Sequence, residues 1–120
     1  MFELVKEKKI KDYFVKMYKS NESIDKALDI IVNSDIPFKY VYVSENADVG
    51  LKMCSGEYSF VSFMENYDKI TDYADSYHFA LKEKKAFIDV DMEHSSIFLF
   101  SDDKEDDLNN MISMSKGESK

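Results

Sequence analysis

The chain has 120 residues, 44% of them apolar, and carries 24 acids against 16 basic residues for a net charge of −8. That length makes one domain with a single core, the apolar content excludes a disordered chain, and no apolar run approaches the ~20 residues of a membrane span. A surface this negative repels nucleic acid and membranes and attracts basic protein surfaces, so direct nucleic-acid binding and membrane binding are both disfavoured.

Every basic residue is a lysine. Without arginine there is no bidentate fork for phosphate or carboxylate. The charge is also uneven: residues 1–20 hold six lysines and three acids, whereas residues 21–120 hold ten lysines and 21 acids. The single cysteine, Cys54, cannot form an internal disulfide and reads as a small buried hydrophobe, which fits a reducing, cytoplasmic setting. The lysines near the N-terminus are mixed with acids and lack an apolar core, so they do not read as a signal peptide.

The first predicted element is a helix over residues 3–18, because Ile10, Tyr13, Phe14, Met17 and Tyr18 recur at helical spacing. Ser20 or Asn21 offers the cap of a second helix, with Ile24, Ala27, Leu28 and Ile31 on one face and an end near Asn33. Pro37 biases Ile36 toward an extended conformation. Three strands are expected next: residues 38–44, the run holding Val49, Leu51 and Met53, and residues 57–64 after a Ser55-Gly56 turn. A third helix is expected over 67–83, with Ile70, Tyr73, Ala74, Tyr77 and Leu81 facing the core.

Residues 86–100 read as a hairpin around a polar turn, Glu93-His94-Ser95-Ser96. In its first strand Ala86, Ile88, Val90 and Met92 point one way while Phe87, Asp89 and Asp91 point the other. The second strand, Ile97 to Phe100, is apolar on both faces, as an interior strand would be. A final helix over 103–114 would be capped by Ser101 and docked through Leu108, Met111 and Ile112. The expectation is one α+β domain over residues 1–114 with a flexible tail at 115–120. Its antiparallel sheet has about five strands, in the order ααβββαββα.

Few residues suggest chemistry. Asp89 and Asp91, with Asp102 and Asp103 past the neighbouring strand, offer oxygen ligands for Mg²⁺, but the only nearby bases or clamps are Lys85, Lys104 and His94. The D-x-D-x-D-G pattern of a calcium loop is absent. His78 and His94 are the only histidines, there is no G-x-S-x-G elbow, and three glycines are too few for a phosphate cradle. The histidines read as structural or exposed, and neither a catalytic set, a cofactor nor a metal site is expected.

The acidic rows are more informative. Glu65, Asp68, Asp72 and Asp75 are spaced three, four and three apart and would form one ridge on, and just before, the third helix. Asp89, Asp91, Glu93 and the Asp102, Asp103, Asp106 and Asp107 group extend the theme: residues 86–113 hold eight acids and one lysine. Interleaved with Tyr67, Phe79 and Phe87, these acids offer aromatic anchors and a charge pattern complementary to a basic protein groove.

The strings FKYVYVS (38–44), KMCS (52–55), KITDY (69–73) and FIDVD (87–91), after a two-helix start and before an acid-rich C-terminal region, resemble the phage-encoded anti-CRISPR inhibitors of Cas9. The likeness is to the short acidic type from Gram-positive prophages that occupies the PAM-reading region. It implies a DNA mimic that competes with DNA for a lysine- and arginine-rich surface. The reading is therefore a non-enzymatic inhibitor of a basic, nucleic-acid-handling protein, such as a nucleic-acid-binding enzyme or a toxin. A toxin-immunity protein makes the same electrostatic demand, and a metal-dependent nuclease or hydrolase on Asp89 and Asp91 is the enzymatic alternative.

Overall fold

The computed structural model describes residues 2–45 and 55–115, and within them the chain builds one seven-stranded sheet. In chain order the elements are β1 (Phe2–Ile10), β2 (Tyr13–Ser20), α1 (Ile24–Val32), β3 (Phe38–Glu45), β4 (Gly56–Ser59), α2 (Phe60–Glu65), α3 (Tyr67–Thr71), β5 (Ala74–Leu81), β6 (Ala86–Asp91), β7 (Ser96–Ser101) and α4 (Leu108–Ser115). The strands lie in the order β1-β2-β7-β6-β5-β3-β4, and every neighbouring pair is antiparallel. The expected order ααβββαββα and the five-strand sheet are thus corrected to ββαββααβββα and seven strands.

Three corrections, with the expected strand around Val49 lying outside the described residues, account for the difference. Residues 3–18 form a β-hairpin instead of a helix, turning at Lys11-Asp12 with Lys11 at a φ of 53°. In β2, Phe14, Lys16 and Tyr18 face one side and Tyr13, Val15 and Met17 the other, because β2 is an interior strand between β1 and β7. Apolar residues on both faces of a strand reproduce the three-and-four spacing of a helical stripe. The second correction is the span 67–83, which is a one-turn helix, α3, followed by β5. Tyr77, Phe79 and Leu81 alternate into the core, and the aromatic residues suit the pleated surface. The third is residues 57–64: Ser59 accepts the Ser62 N–H at 3.1 Å and caps α2, so the strand ends after four residues.

The body of α1 and the β6–β7 hairpin fall where expected, whereas the last helix begins at Leu108 instead of residue 103. The second helix, α1, ends at Asn33 as expected, but its cap is Ser23, which accepts the Lys26 N–H at 3.2 Å; Ser20, one of the two expected caps, is the last residue of β2, and Asn21 follows it. The β6–β7 hairpin forms around a Met92–Ser95 turn, with Ser95 at a φ of 51°. Ser101, expected to cap the last helix, is instead the final residue of β7; Asp107 accepts the Asn110 N–H at 3.2 Å at the start of α4. The expected strand around Val49, Leu51 and Met53, and Cys54, lie outside the described residues.

All four helices bury their apolar side chains against one face of the sheet. Leu28 and Ile31 of α1, Phe63 of α2, Ile70 of α3, and Leu108 and Ile112 of α4 form one core with Tyr77, Phe79, Ile88, Val90, Ile97 and Leu99. Polar ties lock α4 to the first hairpin. The buried Tyr18 hydroxyl donates to Asp107 Oδ1 at 2.9 Å and accepts the Leu108 N–H at 3.1 Å, while Phe2 and Asn109 exchange two hydrogen bonds of 2.8 and 3.0 Å. Burial, opposed by the Leu108 N–H and aided by the Asp107 contact, pushes the Tyr18 hydroxyl pKa above its ordinary value. Beyond Phe2, β1 is exposed along its length, and its Lys6, Lys8 and Lys9 charge an edge that would otherwise invite another strand. No helix among the described residues is long and apolar enough to cross a membrane.

Candidate partner-binding face

The opposite face of the sheet carries no helix among the described residues, and its side chains follow from the register. Directly paired residues of neighbouring strands point to the same side. One row therefore crosses the whole sheet as Lys6, Met17, Phe98, Asp89, His78, Tyr42 and Glu57. A second runs parallel to it as Lys8, Val15, Phe100, Phe87, Ala80, Tyr40 and Ser59. A shorter third row holds Ser96, Asp91, Ser76 and Ser44. Lysines stand at the β1 edge, aromatic rings fill the middle, and the two aspartates sit among the rings.

The rings are half-buried by one another. Phe87 stacks on His78 with centroids 4.7 Å apart and tilts against Tyr13 at 5.9 Å, and Phe98 neighbours Phe100 at 6.5 Å. Tyr42 is 50% exposed. Between Tyr42 and Phe98 lies a depression of about 200 Å³, where the small side chains of Ser44 and Ser76 leave room beside Asp89 and Asp91.

Each strand aspartate is held by one of the two histidines. His78 Nδ1 lies 2.5 Å from Asp89 Oδ1, and His94 Nδ1 lies 2.9 Å from Asp91 Oδ2. Asp91 Oδ1 also accepts the His94 N–H at 3.2 Å, which closes the turn. The hydrogen bond to Asp89 raises the His78 pKa against the opposing effect of burial, and that to Asp91 raises the His94 pKa. Lys19 reaches the edge of this patch, donating to Ser96 Oγ at 3.3 Å.

The expected site residues separate into groups. Phe87, Asp89 and Asp91 share the open face, and Glu93 follows in the adjoining turn. Asp72 and Asp75 lie at the same end of the sheet, because β5 begins where β6 ends. They do not continue a helical ridge from Glu65 and Asp68: Glu65 closes α2, Asp68 lies in α3, and Asp72 follows that helix. Asp102 and Asp103 lie past the opposite end, where the Asp102 N–H meets the Lys85 carbonyl at 3.4 Å. Four residues of strand separate that level from Asp89, about 13 Å. The four carboxylates considered for Mg²⁺ therefore do not converge, and no group of three or more His, Cys, Asp or Glu side chains among the described residues is placed to hold a metal ion.

Asp106 and Asp107 have internal roles. Asp106 accepts from Lys84 Nζ at 2.7 Å and from Ser101 Oγ at 2.6 Å, and Asp107 holds Tyr18. They line a larger cleft of about 520 Å³ between α4 and the β5–β6 turn, floored by Ile36, Pro37, Leu81 and Met111. Among the residues that sequence reasoning missed, Tyr42, His78 and Phe98 stand out. The alternation of Ser76, His78 and Ala80 against Tyr77, Phe79 and Leu81 is the pattern that reveals His78 as a face residue. No protein-family model matches the chain, and no curated protein or solved structure matches it.

Proposed function

We propose that this chain is a small non-enzymatic inhibitor that docks a basic, nucleic-acid-handling protein on the open face of its sheet and blocks that partner's nucleic-acid site. One observation carries the reading: two carboxylates, Asp89 and Asp91, are embedded among half-exposed rings on a sheet face that no described helix covers. Aromatic residues on an uncovered face supply anchors, and the carboxylates select a positive surface while repelling phosphate. Seven strands about 4.8 Å apart and strands near 20 Å long give a face on the order of 600 Å², most of the ~800 Å² that a standard interface takes from each partner. An area of that kind suits a protein surface better than a small substrate. The acid-rich character of the chain supports a partner that ordinarily binds nucleic acid.

The test is competition. A basic protein retained by the immobilised chain from its host is purified, and its nucleic-acid binding is measured with added wild type, Asp89→Lys/Asp91→Lys, or Asp102→Lys/Asp103→Lys. The expected result is displacement by wild type and by the Asp102/Asp103 variant, and none by the open-face variant. Equal potency of all three proteins, or simultaneous binding of chain and nucleic acid, overturns the proposal.

A further inference from the structure

The chain contains two histidines, and each is hydrogen-bonded to one of the two aspartates of the same strand. Asp89 and Asp91 sit on one face two residues apart, so their carboxylates flank the depression between Tyr42 and Phe98 at a spacing of roughly 7 Å. That depression holds acceptors, from the carboxylates and the Ser44 and Ser76 hydroxyls, beside two ring faces. Carboxylates accept hydrogen bonds from a cation, and rings attract it through their quadrupole. At about 200 Å³ the space takes the head of one side chain, not a helix or a nucleotide. The chain has no arginine of its own to fill it.

Resting on the reading of the open face as the docking surface, we propose that this depression seats one cationic side chain of the partner, and that the incoming cation displaces the protons which His78 and His94 hold against Asp89 and Asp91. A guanidinium fits best, because it is planar, can donate to both carboxylates and can stack on Tyr42. With both histidines protonated, each aspartate is already neutralised and the patch has no net charge. With both neutral, the same four side chains carry two negative charges. The other charged or titratable groups facing them are Tyr42 from β3, Glu93 from the turn and Lys19 from β2; Glu93 favours the protonated His94 and Lys19 opposes it. Cation and proton compete for the same carboxylates, so each weakens the other by the same factor. Both histidine pKa values lie above their ordinary value, which brings the exchange toward neutral pH.

The probe is a tetra-arginine peptide amide, followed by NMR on the full chain with the ring protons of His78 and His94 observed across a pH titration. Saturating peptide is expected to lower both histidine pKa values, and peptide affinity is expected to rise about tenfold between pH ~5.5 and ~8. Tyr42→Ala, a substitution at a half-exposed ring, should weaken the peptide without unfolding the protein, and Asp89→Asn should abolish the peptide-induced shift of the His78 titration. Absence of peptide binding, affinity flat with pH, or binding that leaves both histidine titrations unmoved overturns the proposal. The docking face is read separately by the partner competition assay. Peptide indifference together with partner binding that depends on Asp89 and Asp91 removes the cation seat and leaves the face intact, whereas partner binding indifferent to those residues removes the face itself.

Discussion

His78 Nδ1 lies 2.5 Å from Asp89 Oδ1, directly across the β5–β6 ladder, in the middle of an open aromatic face. The hydrogen bond favours imidazolium in the folded protein, so the folded pKa of His78 exceeds its unfolded value. Linkage then fixes the sign: the contribution to stability is complete below the unfolded pKa of about 6.5 and is lost as pH rises through the folded pKa. Asp89→Asn is expected to lower the His78 titration midpoint and to flatten this part of the stability profile. NMR titration of the His78 ring and urea midpoints at pH ~5.5 and ~8 check both statements. An unchanged His78 midpoint in the variant would show that Asp89 is not the cause.

Ile88 is fully buried on the helix-covered face, between the β5 and β7 side chains of the core. Ile88→Ala should cost roughly 2–5 kcal/mol through lost transfer energy and a cavity. Urea unfolding measures it. A loss below ~1 kcal/mol would invert the strand register by one residue and place Asp89 inside.

Tyr18 ties the second strand to the last helix through a hydroxyl that both donates and accepts. Tyr18→Phe leaves the buried Leu108 N–H without that acceptor and should cost about 1–3 kcal/mol. Tyr67→Phe removes a hydroxyl that meets Asp29 at an exposed position, and should cost less than ~1 kcal/mol. Equal urea midpoint shifts for the two variants would contradict a special role for the Tyr18 tie.

Charge reversals discriminate between the acidic groups. Asp89→Lys/Asp91→Lys should weaken partner binding by several kcal/mol, because the partner's basic groups would then meet like charge. Asp102→Lys/Asp103→Lys, past the other end of the sheet, and Glu22→Lys/Asp25→Lys, at the start of α1, should change it far less. Association should slow as salt rises, with a screening length of about 8 Å at physiological ionic strength. Binding kinetics at low and high salt provide the check, and affinity indifferent to salt would count against an electrostatic docking face.

The most legible segments were those whose local chemistry admits one geometry. Strict alternation around Ile88 and a polar turn identify β6 and β7, and the apolar stripe of Ile24, Ala27, Leu28 and Ile31 identifies α1, although its cap is Ser23 and not Ser20 or Asn21. The strands β2 and β5 were illegible for a shared reason. Both are interior: in β2, Tyr13, Phe14, Met17 and Tyr18 lie on both faces and, with Ile10 of β1, match a helix as well as a strand, and the stripe Ile70, Tyr73, Ala74, Tyr77 and Leu81 runs on from α3 into β5 at helical spacing. For β2 the long-range pairing with β7 decides between them, and for β5 the pairing with β3 and β6 makes the alternation of Ser76, His78 and Ala80 prevail over the helical stripe. The site inherited that ambiguity. Asp89 and Asp91 could be placed on a strand face from sequence, but His78 could not be set opposite Asp89 while its own segment read as a helix.

The position of β2 beside β7 has a consequence for synthesis on the ribosome. The hairpin of residues 2–20 is made well before its neighbour in the sheet: its inner edge has no partner until residues 96–101 have been translated, and its ties to Asp107 and Asn109 come later still. Contacts so distant along the chain require loop closure before they stabilise anything, which slows folding. Until β7 has been made, the nascent chain presents a bare, aromatic strand edge of the kind that chaperones bind.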